Sequence, residues 1–139
     1  MAENLLPPGY EPGDDEPFMN ERMRAFFKGK LEHWKNEILV DSKSTISHLQ
    51  EETAGLPDIV DRAASETDKG LELRTRDRQR KLISKIDSAL RRLEDGSYGY
   101  CEETGEPISI RRLIARPIAT LSLEAQERHE KQERVYRDD

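Results

Sequence analysis

The sequence has little of what a chain needs to build a large interior. Among 139 residues it contains a single cysteine, which excludes an internal disulfide framework. Only 6% of the residues are aromatic and 34% hydrophobic, while 37% are charged. No apolar run approaches the roughly 20 residues that cross a bilayer. This composition predicts long solvated helices that bury narrow apolar seams, in a mainly α fold.

The charge balance narrows the classes of partner and activity. Acidic residues outnumber basic ones by 29 to 23, for a formal net charge of -6. Sequence-independent binding to duplex DNA needs an uncompensated basic face, so the acidic total argues against it. We expect no direct sequence-specific DNA binding either. There is no nucleophile-base pair, phosphate-binding loop or metal-ligand cluster, so we expect no enzyme. The amino terminus lacks the layout of a signal peptide. We therefore expect a cytoplasmic protein that does not contact membranes.

Breaks and caps divide the chain into three parts. Prolines and glycines predict an irregular arm over residues 1–19. Asn20 can cap a helix, and two long helical segments follow over 20–94, with a tip at 55–62. Apolar positions recur by fours and threes, which predicts an antiparallel coiled-coil hairpin. The predicted seam consists of Phe27, Leu31, Trp34 and Ile38 on the first helix and Leu71, Thr75, Arg78, Leu82, Ile86, Ala89 and Leu93 on the second.

The tip carries two carboxylates and an alanine. Gly55 and Pro57 stop the first helix, Asp58 can cap the second, and Asp61 falls in its first turn. Capping and the helix dipole would together contribute about 1–2 kcal/mol. They do not explain why residue 61 is aspartate rather than glutamate, the better helix former. A hairpin with legs of about 30 residues would carry this turn about 45 Å from its start, which suits delivery into another molecule.

Residues 95–139 predict a small globule followed by a last helix. Two short extended segments around a glycine turn are expected near Tyr98–Ile108, and Ser122 can cap the last helix.

Several stretches, in this order, resemble the DksA family of bacterial transcription factors, over most of the chain from Phe18 onward. The resemblance is carried by Pro57-Asp58-Ile59-Val60-Asp61-Arg62-Ala63-Ala64, Leu71-Glu72-Leu73-Arg74, Arg76-Asp77-Arg78-Gln79-Arg80-Lys81-Leu82-Ile83, Tyr98-Gly99-Tyr100-Cys101-Glu102 and Ile110-Arg111-Arg112-Leu113-Ile114-Ala115-Arg116-Pro117.

The resemblance implies a transcription regulator that enters the secondary channel of RNA polymerase. It implies that the tip alters promoter-complex stability near the active site, and that the alarmone ppGpp strengthens this effect in the stringent response. The family's Asp-x-x-Asp-x-Ala tip matches Asp58, Asp61 and Ala63. We assign polymerase contact to Arg74 and Arg78, and a monomer is expected.

The resemblance also implies a shared ppGpp site, for which Lys85 and Arg116 match the family's contacting residues. Gln126 and Gly55 stand where the family has a lysine and an asparagine, which weakens the expected alarmone affinity.

A second departure concerns zinc, because the family usually has a four-cysteine finger. Here the four positions read Cys101, Thr104, Ser122 and Ala125. A structural zinc site needs about four N or S ligands. We therefore expect a degenerate finger without zinc, with Cys101 as a remnant ligand position.

Two other functions remain open. Gre-type factors share the coiled-coil shape and donate tip carboxylates to a metal during transcript cleavage. Alternatively, the hairpin could be a purely structural interaction module, in which substitutions of Asp61 or Ala63 would leave function intact.

Overall fold

The computed structural model describes residues 6–53 and 59–138, with side chains described over 6–43 and 66–135. The described residues form four helices, α1 (Glu21–Thr53), α2 (Ile59–Asp95), α3 (Ile110–Ala115) and α4 (Leu123–Asp138). The prediction of a mainly α chain dominated by a two-helix hairpin is confirmed. Within the described ranges, no helix is both long and apolar enough to cross a membrane.

Capping fixes where α1 begins. The Asn20 side chain accepts a hydrogen bond from the Met23 amide at 2.9 Å and donates one to Glu16 at 3.3 Å. The Tyr10 hydroxyl donates to the same Glu16 carboxylate at 3.0 Å, and its ring meets Phe26 edge-on at 6.1 Å. The Glu16 carboxylate therefore links the arm, through Tyr10, to Asn20, the residue that caps α1.

The chain divides into two compact units. We call Glu32–Asp87 the middle unit, and Met1–Leu31 with Ser88–Asp139 the terminal unit. Helices α1 and α2 each contribute residues to both. The division at residues 19 and 94, which follows the predicted secondary structure, stays a prediction of domain boundaries.

In the middle unit the two helices run antiparallel. Lys35 donates to Asp87 at 2.7 Å, and Ser42 donates to Gln79 at 2.8 Å. The later residue of α1 therefore pairs with the earlier residue of α2, as antiparallel helices require. Ile38 and Ile86 are buried between these levels.

The predicted seam is wrong at two positions of α2. Leu71 is 53% exposed, and Arg78 is also exposed. Gln79, one residue further on, is half-buried and contacts Ser42 instead. The predicted positions repeat about every 3.7 residues, close to the 3.6 of the helix, so the period alone does not expose them. At position 78 the physical reason is that burying a guanidinium without a paired charge is costly, and the neutral Gln79 makes the contact with Ser42 instead.

The terminal unit holds an aromatic and aliphatic core. Its fully buried side chains are Met23, Phe27, Leu31, Tyr98, Ile108 and Leu113. The Tyr98 hydroxyl donates to the Pro117 carbonyl at 2.7 Å, and burial raises the pKa of that hydroxyl, with a small opposing effect from Arg92. A single antiparallel bridge joins Tyr100 to Pro107 in the described part of the chain. Ser122 caps α4 as predicted, because its hydroxyl accepts from the Ala125 amide at 3.2 Å.

The arm also contacts the first turns after α2. Phe18 meets Tyr100 edge-on, with ring centroids 5.2 Å apart. Gly99 has φ +91°, and a Cβ there would lie 2.9 Å from the Met19 side chain and 3.1 Å from Phe18. Met19 itself has φ 53°, which is uncommon outside glycine. A residue without a side chain is therefore needed at position 99, both for its backbone and for the approach of the arm.

Candidate functional site

The predicted tip lies mostly outside what the structure describes. Asp58 falls in residues 54–58, outside the described range. Asp61 and Ala63 belong to the first two turns of α2, where the backbone is helical. The tip residues therefore stay a prediction.

The clearest described feature of α2 is a row of four exposed cations, which we call the cation stripe: Arg74, Arg78, Lys81 and Lys85. Their spacing of four, three and four residues places them along one face of a helix with 3.6 residues per turn. Eleven residues at 1.5 Å each make the stripe about 16 Å long.

The stripe is not used up by internal pairing. Arg74 Nε donates to the Gly70 carbonyl at 3.3 Å, and Arg78 donates to the Thr75 hydroxyl at 3.3 Å, both within α2. Among residues 6–43 and 66–135, whose side chains the structure describes, no carboxylate forms an ion pair with a stripe residue. The stripe thus leaves its charge available to a partner, in contrast to Lys35, which is bound to Asp87.

Sequence reasoning singled out three stripe residues and omitted Lys81. It stands seven residues after Arg74 and four before Lys85, so the same helical spacing that groups the other three includes it.

The two residues predicted to contact ppGpp lie in different units. Lys85 belongs to the middle unit and Arg116 to the terminal unit. Arg116 is exposed directly after α3, and its amide donates to the Arg112 carbonyl at 2.7 Å. Gln126, where the family has a lysine, donates to Glu130 at 3.3 Å within α4. The predicted pair stays a prediction.

The finger positions are occupied by hydrogen-bonding groups. Cys101 is 2% exposed. Burial by itself raises the pKa of its thiol, but hydrogen bonds from the Thr104 side chain and from the backbone amides of Ser122, Thr104 and Glu103 outweigh it and lower the pKa to about 6. The Glu102 amide also donates to the Thr120 carbonyl at 2.8 Å. Donors from both halves of the finger therefore converge on one sulfur.

This arrangement does not fit a zinc ion. Ala125 is fully buried and offers no ligand atom, while the Ser122 hydroxyl is engaged as a helix cap. His129 contacts Glu103 at 3.3 Å. Among the described residues, no group of three or more His, Cys, Asp or Glu side chains is placed to hold a metal. The Cys101 thiolate already accepts hydrogen bonds from amide and hydroxyl groups of the protein itself. It is the one sulfur at these four positions, whereas a structural zinc needs about four N or S ligands.

Comparison with known proteins places this architecture in a class. Residues 23–93 match the family of the DnaK suppressor protein DksA, N-terminal domain, and residues 96–131 match the prokaryotic dksA/traR C4-type zinc finger. A solved structure of transcription factor DksA2 from Pseudomonas aeruginosa is similar with a TM-score of 0.81 and 40% identity, covering 89% of this chain and 94% of that one. The fold therefore defines a class of protein in which a two-helix hairpin is followed by a small segment of the zinc-finger type.

The sequence relatives are closer still. The RNA polymerase-binding transcription factor DksA of Caulobacter vibrioides (strain NA1000 / CB15N) is 70% identical over 130 residues, 94% of this chain and 92% of the relative. Its counterpart in Escherichia coli (strain K12) is 48% identical over 119 residues, 84% of this chain and 79% of the relative. The chain belongs to the DksA family. This confirms the predicted resemblance and the expectation of a transcription factor rather than an enzyme.

Proposed function

We propose that this chain regulates transcription by binding RNA polymerase in its secondary channel, where Asp58, Asp61 and Ala63 alter the stability of promoter complexes. Its relatives are named RNA polymerase-binding transcription factors. The observation that carries the proposal for this chain is the cation stripe on α2, which is exposed and free of ion pairs within the described residues.

The stripe fits a protein partner better than a nucleic acid. The first three cations of the stripe, Arg74, Arg78 and Lys81, can pair with carboxylates on an acidic protein surface. A chain with a net charge of -6 would repel a phosphate backbone over most of its surface. We therefore assign Arg74 and Arg78, together with Lys81, to polymerase contact.

The tip supplies the regulatory effect in this proposal. Asp58 and Asp61 would bring negative charge near the catalytic magnesium and the basic loops of the enzyme. The small side chain of Ala63 would permit close approach.

The alarmone ppGpp acts as co-regulator in this proposal. Lys85 and Arg116 would supply an ammonium and a guanidinium for its pyrophosphates. Gln126 is neutral and engaged with Glu130, so we expect a weaker ppGpp response than in relatives with lysine there.

The binding test compares charge reversals on and off the stripe. Arg78→Glu should weaken polymerase binding at least tenfold and reduce its dependence on salt, because it removes one attraction and adds one repulsion. Arg80→Glu is the matched control, since Arg80 is also exposed but lies about 200° around the helix from Arg78. If both variants weaken polymerase binding equally, binding depends on net charge alone, and the proposal that the cation stripe contacts polymerase is wrong.

The regulatory test separates binding from effect. Asp61→Asn should retain polymerase binding and lose most of the inhibition of a ribosomal promoter in transcription assays with and without ppGpp. Lys85→Ala should reduce only the increment that ppGpp adds. Stimulated transcript cleavage that Asp61→Asn abolishes would instead favour a Gre-type factor.

We further propose that the protein is a cytoplasmic monomer, in keeping with its proposed partner, and that it contains no structural zinc. Metal analysis of the purified protein should give far less than one zinc per chain, and a chelator should leave its melting temperature unchanged.

A further inference from the structure

A small cavity lies inside the terminal unit, and none of the residues assigned to polymerase or ppGpp lines it. Its volume is about 110 Å³. The arm, the start of α1, the end of α2 and the turns after it all contribute to its wall. Prominent among the lining residues are Phe18, Arg24, Arg92, Leu93, Gly96 and Tyr100.

The charge on the wall of this cavity is positive. Arg24 and Arg92 both line it, whereas no described residue of its lining is acidic. The Arg92 side chain is 15% exposed. The guanidinium carries five N–H donors, and none of its nitrogens is both fully buried and without a partner. The donors without a protein acceptor are therefore open to solvent or to a small solute.

Arg92 finds few acceptors in the protein itself. Its Nε donates to the Ser88 carbonyl at 3.4 Å, and its Nη1 lies 3.8 Å from a Glu102 oxygen whose side chain is 62% exposed. Both separations are longer than the 2.7–2.9 Å typical of a charge-assisted hydrogen bond. The guanidinium therefore retains donor capacity beside an open space.

We propose that this cavity binds a small free oxyanion, a carboxylate or an inorganic phosphate, with Arg92 as the main donor and Arg24 as the second. A volume of about 110 Å³ has room for a few water molecules. Acetate or phosphate is small enough for this space. The apolar walls from Phe18 and Leu93 favour a carboxylate with a short alkyl group.

Occupancy would have a structural consequence. Arg24 lies in α1 and Arg92 in α2, so a bound anion would join these two helices through their guanidinium groups, beside the arm residues that also border the cavity. This inference does not depend on the proposed function, because none of its residues was assigned there.

The test uses the full-length chain with ¹⁵N-labelled arginine side chains. We would titrate acetate and, separately, phosphate at constant ionic strength maintained with chloride, and follow the Arg92 Nε–H resonance. A saturable shift with either anion is expected, and acetamide, the neutral isostere of acetate, should produce none. A linear drift, or equal shifts with acetamide, would overturn the proposal.

Variants locate the site. Arg92→Met removes the Arg92 signal, so its titration is followed by the Nε–H resonance of Arg24. In this variant the saturable shift should be lost. Arg24→Gln alters an exposed residue, should leave the fold intact, and should weaken binding about tenfold, corresponding to one lost charge-assisted contact. Arg111→Gln, exposed and not part of the lining, is the control and should bind as the wild type does. Undiminished binding by Arg24→Gln would contradict the assignment even if Arg92→Met fails to fold.

Discussion

The terminal and middle units use different interactions to hold the same two helices. In the terminal unit, fully buried Phe27 and Tyr98 meet with ring centroids 5.5 Å apart. In the middle unit, cross-helix hydrogen bonds join Lys35 to Asp87 and Ser42 to Gln79, few apolar side chains are buried, and Leu71 and Leu73 are exposed.

The difference separates stability from recognition. Buried aromatic rings supply most of the free energy of folding that a small core can provide. Partly exposed polar contacts contribute little, but they leave the faces of the helices free to present charge. We therefore expect substitutions in the terminal unit to lower stability, and substitutions on the cation stripe to lower binding while stability is retained.

The largest expected effect is on Phe27. Because its side chain is fully buried, Phe27→Ala should lower the free energy of unfolding by about 3–5 kcal/mol through lost burial and a cavity. Leu71→Ala, in the middle unit at 53% exposure, should change it by less than about 0.5 kcal/mol. Urea titration of both variants makes the measurement, and comparable losses would remove the contrast between the units.

The next effect tests how the arm is held. Gly96 and Gly99 both have positive φ, 86° and 91°, but a Cβ at 96 would have no neighbour within 4 Å, whereas one at 99 would meet Met19 at 2.9 Å. Gly96→Ala should cost about 1 kcal/mol for its backbone alone, and Gly99→Ala about 1–2 kcal/mol more for crowding. Equal melting temperatures for the two variants would show that Phe18 and Met19 move aside at no cost in stability, which would contradict the predicted crowding at position 99.

A pH-dependent effect should map to the terminal unit through Cys101. Its pKa in the folded chain is lowered from 9.0 to about 6. A group with a depressed pKa stabilises the fold fully above its unfolded value, and that contribution is lost as the pH falls through the folded value. The difference in unfolding free energy between wild type and Cys101→Ala should therefore grow as the pH rises from 6 to 9.

The donors around the sulfur provide the control for that experiment. Thr104→Val removes one hydrogen bond to the thiol, so the midpoint of the pH dependence should move upward. A pH-independent difference between wild type and Cys101→Ala would contradict the presence of a thiolate.

The smallest expected effect lies in the middle unit. Lys35 and Asp87 form a 2.7 Å ion pair with side chains 33% and 37% exposed. A double-mutant cycle with Lys35→Met and Asp87→Asn should give a coupling of about 0.2–1 kcal/mol that diminishes in high salt. A coupling well above this range would mean that the middle unit is held more firmly than its exposure suggests.

Local features were readable from the sequence. The caps at Asn20 and Ser122 and the two long helices follow from residues close in the chain, and the structure has them. Family membership followed from several ordered stretches at once. Short helix α3 was not predicted, because six residues carry too little periodicity; its visible signal was Ser109, whose hydroxyl accepts from the Arg112 amide at 3.2 Å.

What depends on distant residues was not readable. The Ser122 amide reaches the Cys101 sulfur from 21 positions further along the chain. The contact that Gln79 makes, in place of Arg78, is with Ser42, 37 positions earlier. The roles of Asp58, Asp61 and Ala63 rest on family resemblance.

The placement of the chromophores gives each unit its own optical signal. The single tryptophan, Trp34, belongs to the middle unit, while all four tyrosines, Tyr10, Tyr98, Tyr100 and Tyr136, belong to the terminal unit. Fluorescence excited at the red edge of indole absorption therefore reports on one unit, and near-ultraviolet tyrosine signals report on the other. Coincident transitions would mean that the two units melt cooperatively, and the unmodified chain can answer that question without any label.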